Sequence, residues 1–267
     1  MIITKAMLPD GKSVSVTNEH AVNDLIFVCE HASNYVPDGL NQLGLDDQLI
    51  QSHIAWDPGA LNVAQLLSKK FNAPLVASTI SRLVYDCNRP PYSLGAIARE
   101  SEIYSIPGNQ NLSDKDELSR IVEIYEPFCS AIDRIVDAHL QKPVLPLFVT
   151  IHSFVPVYKG IPRKVEVGVL HDTDQRLADC FLGEAENMGS YVALRNEPYA
   201  PVDGVTHTLQ ARAIPHGLGN VMIEIRNDLI SDQEGIEKMA AYLEHILRTC
   251  VGTCQYPNPT YKKAHSL

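Results

Sequence analysis

The chain has 267 residues, of which 45% are hydrophobic and 20% are charged, and its formal net charge is −10. This length and composition are typical of one large globular domain, and the acidic balance argues against a nucleic-acid partner or an anionic membrane surface. No apolar run reaches the ~20 residues that a membrane-spanning helix needs, and the first residues lack the pattern of a signal peptide.

Short apolar runs alternate with amphipathic stretches in the first part of the chain. The run LIFVC at 25–29 predicts a buried strand, because it is short, continuous and bounded by polar residues. Residues 46–71 predict a helix that is broken at Pro58, and its second part is clearly amphipathic. Apolar runs at 74–78 and 83–87 predict two more strands.

The alternation continues to the end of the chain. Ser113, with Asp116 three residues later, predicts a capping box at the start of a helix that extends to about residue 141, with a kink at Pro127. The remaining predicted strands cover 147–151, 165–170 and 220–225, and the remaining predicted helices cover 174–188 and 232–250.

This order of elements predicts a single-domain α/β fold with a mixed, mainly parallel central sheet flanked by helices. Ligands of such sheets bind beyond the carboxyl ends of the strands. Four predicted strands end in residues that can do chemistry: Glu30 and His31, Asp86 to Arg89, His152 and Ser153, and Glu224 to Arg226.

Two of these strand ends carry a histidine, and together they predict a metal site. Imidazole is a common zinc ligand, and a catalytic zinc ion takes three protein ligands, so His31 and His152 leave one ligand to identify. Asp57 could be that ligand, although an Asp before Pro58 could instead cap a helix. Other candidates for this position are Glu30, His53, which is spaced i, i+4 from Asp57, and the pair His171 and Asp174.

Glu224 interrupts the apolar run NVMIEI, so it must be paired or functional. It could be a general base beside a metal ion, or it could form an internal ion pair with Arg226. Arg89 offers a planar fork for a substrate carboxylate, unless it pairs with Asp86, and Arg82 is a second candidate for this role.

Several common catalytic motifs do not occur in the sequence. The chain has no GxSxG elbow, no P-loop, no GxGxxG after a strand and no HExxH. Its six cysteines are scattered without a CxxC motif, which favours the cytoplasm over an oxidising compartment. We expect one domain over residues 1–254 and a C-terminal tail over 255–267, and the first twenty residues suggest a loose lead-in.

The chain resembles the N-formylglutamate amidohydrolase family. The resemblance is carried, in this order, by the segments VCEHASNYVP, HIAWDPGA, SRLVYDCNRPP, PGNQNLS, TIHSFVPV, GVLHD, NEPY and IEIRNDLI. The chain is also similar, more remotely, to zinc carboxypeptidases and aspartoacylases. The segment TIHSF resembles their SIHSY motif, whose His binds zinc. The segment CNRP resembles their Asn-Arg pair, which binds a substrate carboxylate. The segment IEIR resembles their FELR motif, whose Glu is the catalytic base.

These resemblances imply a zinc-carboxypeptidase-like fold and a zinc-dependent amidohydrolase that cleaves an acidic N-acyl amino acid such as N-formyl-L-glutamate. The relatives' first ligand motif is His-x-x-Glu, but this chain has Asn34 in place of the Glu, so Asp57 is the expected substitute. The implied zinc ligands are His31, Asp57 and His152. The implied catalytic residues are Glu224 and Arg82, and the implied substrate-binding residues are Asn88, Arg89, Asn196, Tyr199 and Arg226.

Two alternatives stay open at this point. The chain could be a zinc amidohydrolase or carboxypeptidase-like enzyme that acts on another N-acyl amino acid or a small peptide. It could also be a binding protein that keeps the fold without turnover, because the His-x-x-Glu carboxylate is missing. In each case the expected partner is a small molecule.

Overall fold

The computed structural model describes residues 11–21, 23–254, 257–259 and 261. Its strands are β1 (Val14–Thr17), β2 (Leu25–Cys29), β3 (Leu75–Ser78), β4 (Glu100–Ser101), β5 (Tyr104–Ser105), β6 (Leu147–Phe154), β7 (Val157–Tyr158), β8 (Ile161–Pro162), β9 (Val167–Leu170), β10 (Ala193–Arg195) and β11 (Gly219–Arg226). Its α-helices are α1 (Asp47–Gln51), α2 (Ala60–Phe71), α3 (Asp114–Arg120), α4 (Glu126–Leu140), α5 (Arg176–Met188) and α6 (Gln233–Cys254).

Seven strands form the central sheet, in the order β1-β3-β2-β6-β11-β9-β10. The four inner strands β3, β2, β6 and β11 run parallel to one another, whereas β1 is antiparallel to β3 and β9 is antiparallel to β11. The chain is thus a single α/β domain with a mainly parallel sheet, which confirms the predicted fold class. The hairpins β4–β5 and β7–β8 lie outside this sheet.

Helices and buried loops cover both faces of the sheet. The face that presents Phe27, Val149 and Ile223 packs against α2, α5 and α6. The opposite face, which presents Val28 and Met222, packs against α4 and the apolar residues of the 80–106 segment. The inner strands are therefore apolar on both sides, which explains their continuous apolar sequence.

Strand register brings three polar side chains to one face. Glu224 is the direct neighbour of His152, because β11 and β6 pair in parallel with these residues in register. Side chains alternate between the two faces of a strand. His152 and Glu224 therefore lie on the face of Met222, and Glu30, two residues after Val28, lies on the same face at the end of β2.

The strand predicted at residues 83–87 is wrong. Ser81 holds this segment in a turn, since its carbonyl oxygen accepts hydrogen bonds from the backbone N–H groups of Val84 and Tyr85, and its hydroxyl accepts one from Leu83. The apolar residues of the segment are nevertheless buried in the second core. An apolar run indicates burial here and does not indicate an extended backbone.

Three other predictions change in detail. The predicted lead-in contains the edge strand β1, which is half-exposed and was too short to stand out. The helix predicted from Ser113 does begin there with a capping box, but residues 121–125 form a π-helical turn before Pro127, which has no N–H to continue the ladder. Strand β6 extends to Phe154, so His152 lies within the strand and not after it, whereas Glu224 lies within β11 as predicted.

The predicted C-terminal tail is described only in part, since residues 255–256, 260 and 262–267 lie outside the described residues. Pro257 forms a bridge with Val144, and the buried Asn258 donates its side-chain amide to the carbonyl oxygens of Leu140 and Lys142. These contacts tie the beginning of the tail to the segment between α4 and β6. Among the described residues, no helix combines the length and apolarity needed to cross a bilayer.

Candidate active site

Two histidines and one aspartate converge at the carboxyl edge of the sheet. His152 Nδ1 lies 2.9 Å from Asp57 Oδ2, His31 Nδ1 lies 3.2 Å from the same oxygen, and the two Nδ1 atoms are 3.3 Å apart. His152 comes from β6, His31 follows β2, and Asp57 lies in the turn that precedes α2. All three residues are buried. We refer to His31, Asp57 and His152 as the triad.

Two further carboxylates lie on the far side of the imidazoles, at their Nε2 atoms. His31 Nε2 lies 2.7 Å from Asp86 Oδ1, and His152 Nε2 lies 3.0 Å from Glu30 Oε2, an ion-pair contact that is not aligned as a hydrogen bond. A carboxylate at this position favours a proton on Nε2 and leaves the Nδ1 lone pair free to point into the triad. Carboxylate partners of this kind commonly orient histidines that bind metals.

The triad could bind a metal ion, because its three donor atoms lie close together and are of suitable types. A tetrahedral ion with bonds of about 2.1 Å separates its ligand atoms by about 3.4 Å, close to the observed 2.9 to 3.3 Å. Burial alone would lower the pKa of His152, but Glu30 and Asp57 raise it well above its usual value. The buried carboxylates around the two imidazoles therefore favour a positive charge at this place.

Glu224 stands beside the triad with a free oxygen. Its side chain is buried, and Oε2 has no hydrogen-bond partner among the described residues. Burial raises the pKa of Glu224 to about 7, so this carboxyl group is suited to take up and release a proton near neutral pH. Gly168 makes room for Glu224 on the neighbouring strand, because a Cβ there would collide with the Glu197 carbonyl oxygen and meet Glu224 Cβ at 3.0 Å.

A cavity of about 610 Å³ opens in front of the triad and of Glu224. This volume suits a small-molecule ligand. Three arginine side chains line it: Arg82, Arg89 and Arg163. Arg82 NH1 lies 3.1 Å from Asp57 Oδ1, and Arg89 NH1 donates to the Gly204 carbonyl oxygen. The cavity therefore combines a candidate metal-binding set, a candidate base and cationic side chains.

The cavity lining contains most of the predicted site residues. These are His31, Asp57, Arg82, Asn88, Arg89, His152, Tyr199 and Glu224. The side-chain amide of Asn88 is already engaged, because it donates to the Val205 carbonyl oxygen and accepts from Thr208 N–H at 3.0 Å. Asn88 therefore anchors the segment 205–208, of which Val205 lines the cavity.

The structure does not bring Asn196 and Arg226 into the cavity lining. Asn196 Oδ1 accepts a hydrogen bond from the backbone N–H of His171. Arg226 pairs with Glu166 at 3.3 Å and with Asp228 at 2.8 Å. Arg226 therefore has partners other than Glu224, so the predicted internal ion pair between these two residues is not formed.

The other candidates for the third metal ligand, His53 and the pair His171 and Asp174, have partners outside the triad. His53 lies at the cavity wall 3.0 Å from Glu102, and residues 52–59 are turns, so His53 and Asp57 do not share a helical face. His171 Nε2 lies 2.9 Å from Arg195. Asp174 pairs with Arg176, outside the triad.

Sequence reasoning missed three features of the site. It considered Asp86 only as a partner of Arg89 and Glu30 only as a ligand, whereas both stand behind the imidazoles. Alternation along β2 could have placed Glu30 on the face of His152 if the strand pairing had been known. Arg163 lies after the short hairpin β7–β8, where no apolar period marks a strand end.

Comparison with known proteins identifies the family. A model of the N-formylglutamate amidohydrolase family matches residues 23–231. The gene product Atu2144 of Agrobacterium tumefaciens is 47% identical with a TM-score of 0.90, over 93% of this chain and 99% of that one. The N-formylglutamate amidohydrolase of Ralstonia eutropha JMP134 has a similar fold, with a TM-score of 0.57 at 17% identity over 90% and 97% of the two chains. No curated protein sequence matches significantly.

Proposed function

The chain belongs to the N-formylglutamate amidohydrolase family, whose members hydrolyse amide bonds, and from this premise we propose that it is a zinc-dependent enzyme for acidic N-acyl amino acids such as N-formyl-L-glutamate. The observation that carries the proposal is the convergence of two imidazole nitrogens and one carboxylate oxygen beside the buried Glu224. The cytoplasm remains the proposed compartment, on the cysteine pattern of the sequence.

The triad would hold the zinc ion, with Glu30 and Asp86 orienting the two imidazoles from behind. Nitrogen and carboxylate donors are ordinary zinc ligands, and three of them leave a position open for chemistry. A zinc ion held there would supply Lewis acidity, which lowers the pKa of water to about 7 and polarises an acyl carbonyl group.

Glu224 would act as the general base and then as the general acid. Its free oxygen would take a proton from water while the water oxygen forms a bond to the formyl carbon. The carbon–nitrogen bond would then break, and the same carboxyl group would deliver the proton to the leaving amine nitrogen. The products would be formate and the free amino acid.

Arg82 would stabilise the negative charge that develops on the acyl oxygen. Its guanidinium is held at the triad by a hydrogen bond from Nε to the Ile54 carbonyl oxygen and by NH1 to Asp57. One well-placed donor of this type contributes about 3 to 4 kcal/mol to transition-state stabilisation. Arg89 would bind the α-carboxylate of the substrate, and Asn88 would keep the adjoining wall in place.

A deformylation assay tests the proposal. The metal-free protein, the zinc-loaded protein and a zinc-loaded Glu224→Gln variant would be given a panel of N-formyl and N-acetyl amino acids. We expect hydrolysis of N-formyl-L-glutamate only by the zinc-loaded parent, and the Gln variant controls for contaminating enzymes. Full activity after chelation would contradict the zinc dependence, and hydrolysis restricted to neutral substrates would contradict the substrate class.

A further inference from the structure

Arg163 is a cavity residue whose side chain is held in a defined position. Its backbone N–H donates to the Pro156 carbonyl oxygen at 2.8 Å, which fixes the residue at the end of hairpin β7–β8. Its own carbonyl oxygen accepts a hydrogen bond at 3.4 Å from Arg226, two residues after Glu224 on β11. The strand that carries the candidate base therefore also supports the backbone of Arg163.

Three aromatic rings surround the Arg163 guanidinium. Its Cζ atom lies 4.7 Å from the ring centroid of Tyr158, 5.1 Å from that of Tyr199 and 5.4 Å from that of Phe154. NH1 also donates to the Tyr199 hydroxyl at 3.3 Å. A planar guanidinium stacks well on aromatic faces, which limits its rotamer freedom before any ligand binds.

The guanidinium of Arg163 forms no ion pair with the part of the chain that the structure describes. Among the described residues, no carboxylate lies within ion-pair distance of its guanidinium, and its hydrogen bonds come from NH1 alone. Arg82, by contrast, is paired with Asp57. A partly buried cation that faces a cavity without a counter-ion is suited to bind an anion there, and the arginine fork matches the geometry of a carboxylate.

We propose that Arg163 is the specificity-determining residue that binds the side-chain carboxylate of the substrate, so that the enzyme selects N-acyl derivatives of dicarboxylic amino acids. The inference rests on the proposed function and deepens it. With the α-carboxylate assigned to Arg89, two cavity arginines meet the two carboxylates of such a substrate. The parts of the Tyr158 and Tyr199 rings that the guanidinium leaves uncovered would pack against its methylene groups.

Kinetics on a matched substrate pair test this role. N-formyl-L-glutamate and N-formyl-L-glutamine are nearly isosteric and differ in the charge at the end of the side chain. We expect the zinc-loaded parent to prefer the glutamate substrate by at least about 10²-fold in kcat/KM. Arg163→Met should abolish this preference, mainly by raising KM for N-formyl-L-glutamate, and should leave kcat/KM for the glutamine substrate within about threefold. Arg163→Lys should retain part of the preference, because it keeps the charge without the fork.

Lys159→Met is the matched control. Lys159 lies on the same hairpin and its Nζ lies 5.4 Å from the Tyr158 ring centroid, but it is not part of the cavity lining. This variant should keep the parent's preference. Equal loss of activity on both substrates in Arg163→Met, or an unchanged preference, would overturn the role of Arg163 while the proposed function stands. A zinc-loaded parent that hydrolyses neither substrate would overturn the proposed function itself.

Discussion

His31 and His152 use their two ring nitrogens for different purposes. In each ring Nδ1 faces the triad and Nε2 faces a carboxylate, Asp86 in one case and Glu30 in the other. A proton on Nε2 is stabilised by that carboxylate, so each ring can present a lone pair from Nδ1. If the proposed zinc ion binds here, its affinity should depend on five side chains, although only three of them would contact the ion.

The role of His152 can be tested by removing its ring. His152→Ala should lose most of the bound zinc, because two ligands are fewer than a zinc site requires. Zinc is measured by elemental analysis after dialysis, and the fold by circular dichroism. His53→Ala is the matched control: His53 lines the same cavity but pairs with Glu102, so this variant should keep its zinc. Full zinc occupancy in a folded His152→Ala protein would contradict the metal site.

The catalytic role of Glu224 can be tested separately from any contribution of this residue to stability. Glu224→Gln keeps the shape of the side chain but cannot accept the proton, so kcat should fall by about 10²- to 10⁴-fold with zinc and substrate still bound. Thermal stability should not fall through Arg226, because Arg226 pairs with Glu166 and Asp228. The measurements are steady-state kinetics, zinc content and a melting curve. A variant within about threefold of the parent rate would rule out Glu224 as the base.

The proposed role of Arg89 is tested by KM and not by kcat, because its proposed partner is a substrate carboxylate that does not react. Arg89→Lys should raise KM for N-formyl-L-glutamate strongly with little change in kcat, since a point charge cannot reproduce a two-pronged contact. The control is the Lys159→Met hairpin variant, which should keep the parent KM. A fall in kcat at constant KM would instead move Arg89 to the stabilisation of the transition state.

Sequence patterns predict some of these site residues and do not predict others. His31 and His152 could be predicted as a pair because both follow apolar runs that are typical of parallel strands. Asp57 could not be distinguished from a helix cap on spacing alone, and the structure shows Gly59 as the cap of α2. Arg163 has no periodic signal, since its position depends on a hairpin and on rings that are distant in sequence.

At the scale of elements, the most buried strands were the most predictable. Strands β2, β6 and β11 are covered on both faces, so their sequences are continuous apolar runs. The edge strands β1 and β10 are short and partly exposed, and their sequences carry little pattern. Strand order and register depend on long-range pairing, so the meeting of Glu224 with His152 could not be read from either segment alone.

The start of α3 offers a test of local helix chemistry. Ser113 Oγ accepts from the Asp116 N–H at 3.2 Å, and the Asp116 carboxylate accepts from the Ser113 hydroxyl at 2.7 Å. Ser113→Ala removes this cap and should cost about 1 kcal/mol of unfolding free energy, as measured by denaturant unfolding. Ser113→Thr keeps the hydroxyl and should lie closer to the parent. Equal stability of the Ala variant and the parent would show that the cap contributes nothing.

At the scale of the whole molecule, an acidic chain encloses a cavity with cationic walls. The net charge is −10, yet Arg82, Arg89 and Arg163 converge on one space of about 610 Å³. The local field inside a cleft is set by the groups that line it, so the net charge does not prevent the binding of a dicarboxylate. The parallel strands place His152 and Glu224 side by side at this cavity, and Tyr158 of the hairpin and Val205 also line it.

The same arrangement predicts that the proposed zinc ion stabilises the folded domain. Without the ion, Glu30, Asp57 and Asp86 surround two imidazoles in a buried place. An ion that binds only the folded chain, at about 1,000 times its dissociation constant, stabilises it by about 4 kcal/mol. For a domain of this size that corresponds to a rise of roughly 10 °C in Tm. Calorimetry of the chelated and the zinc-loaded protein should show this rise in the parent and in His53→Ala, but not in His152→Ala. A Tm that does not respond to zinc in the parent, or that responds equally in His152→Ala, would place any bound zinc outside the triad.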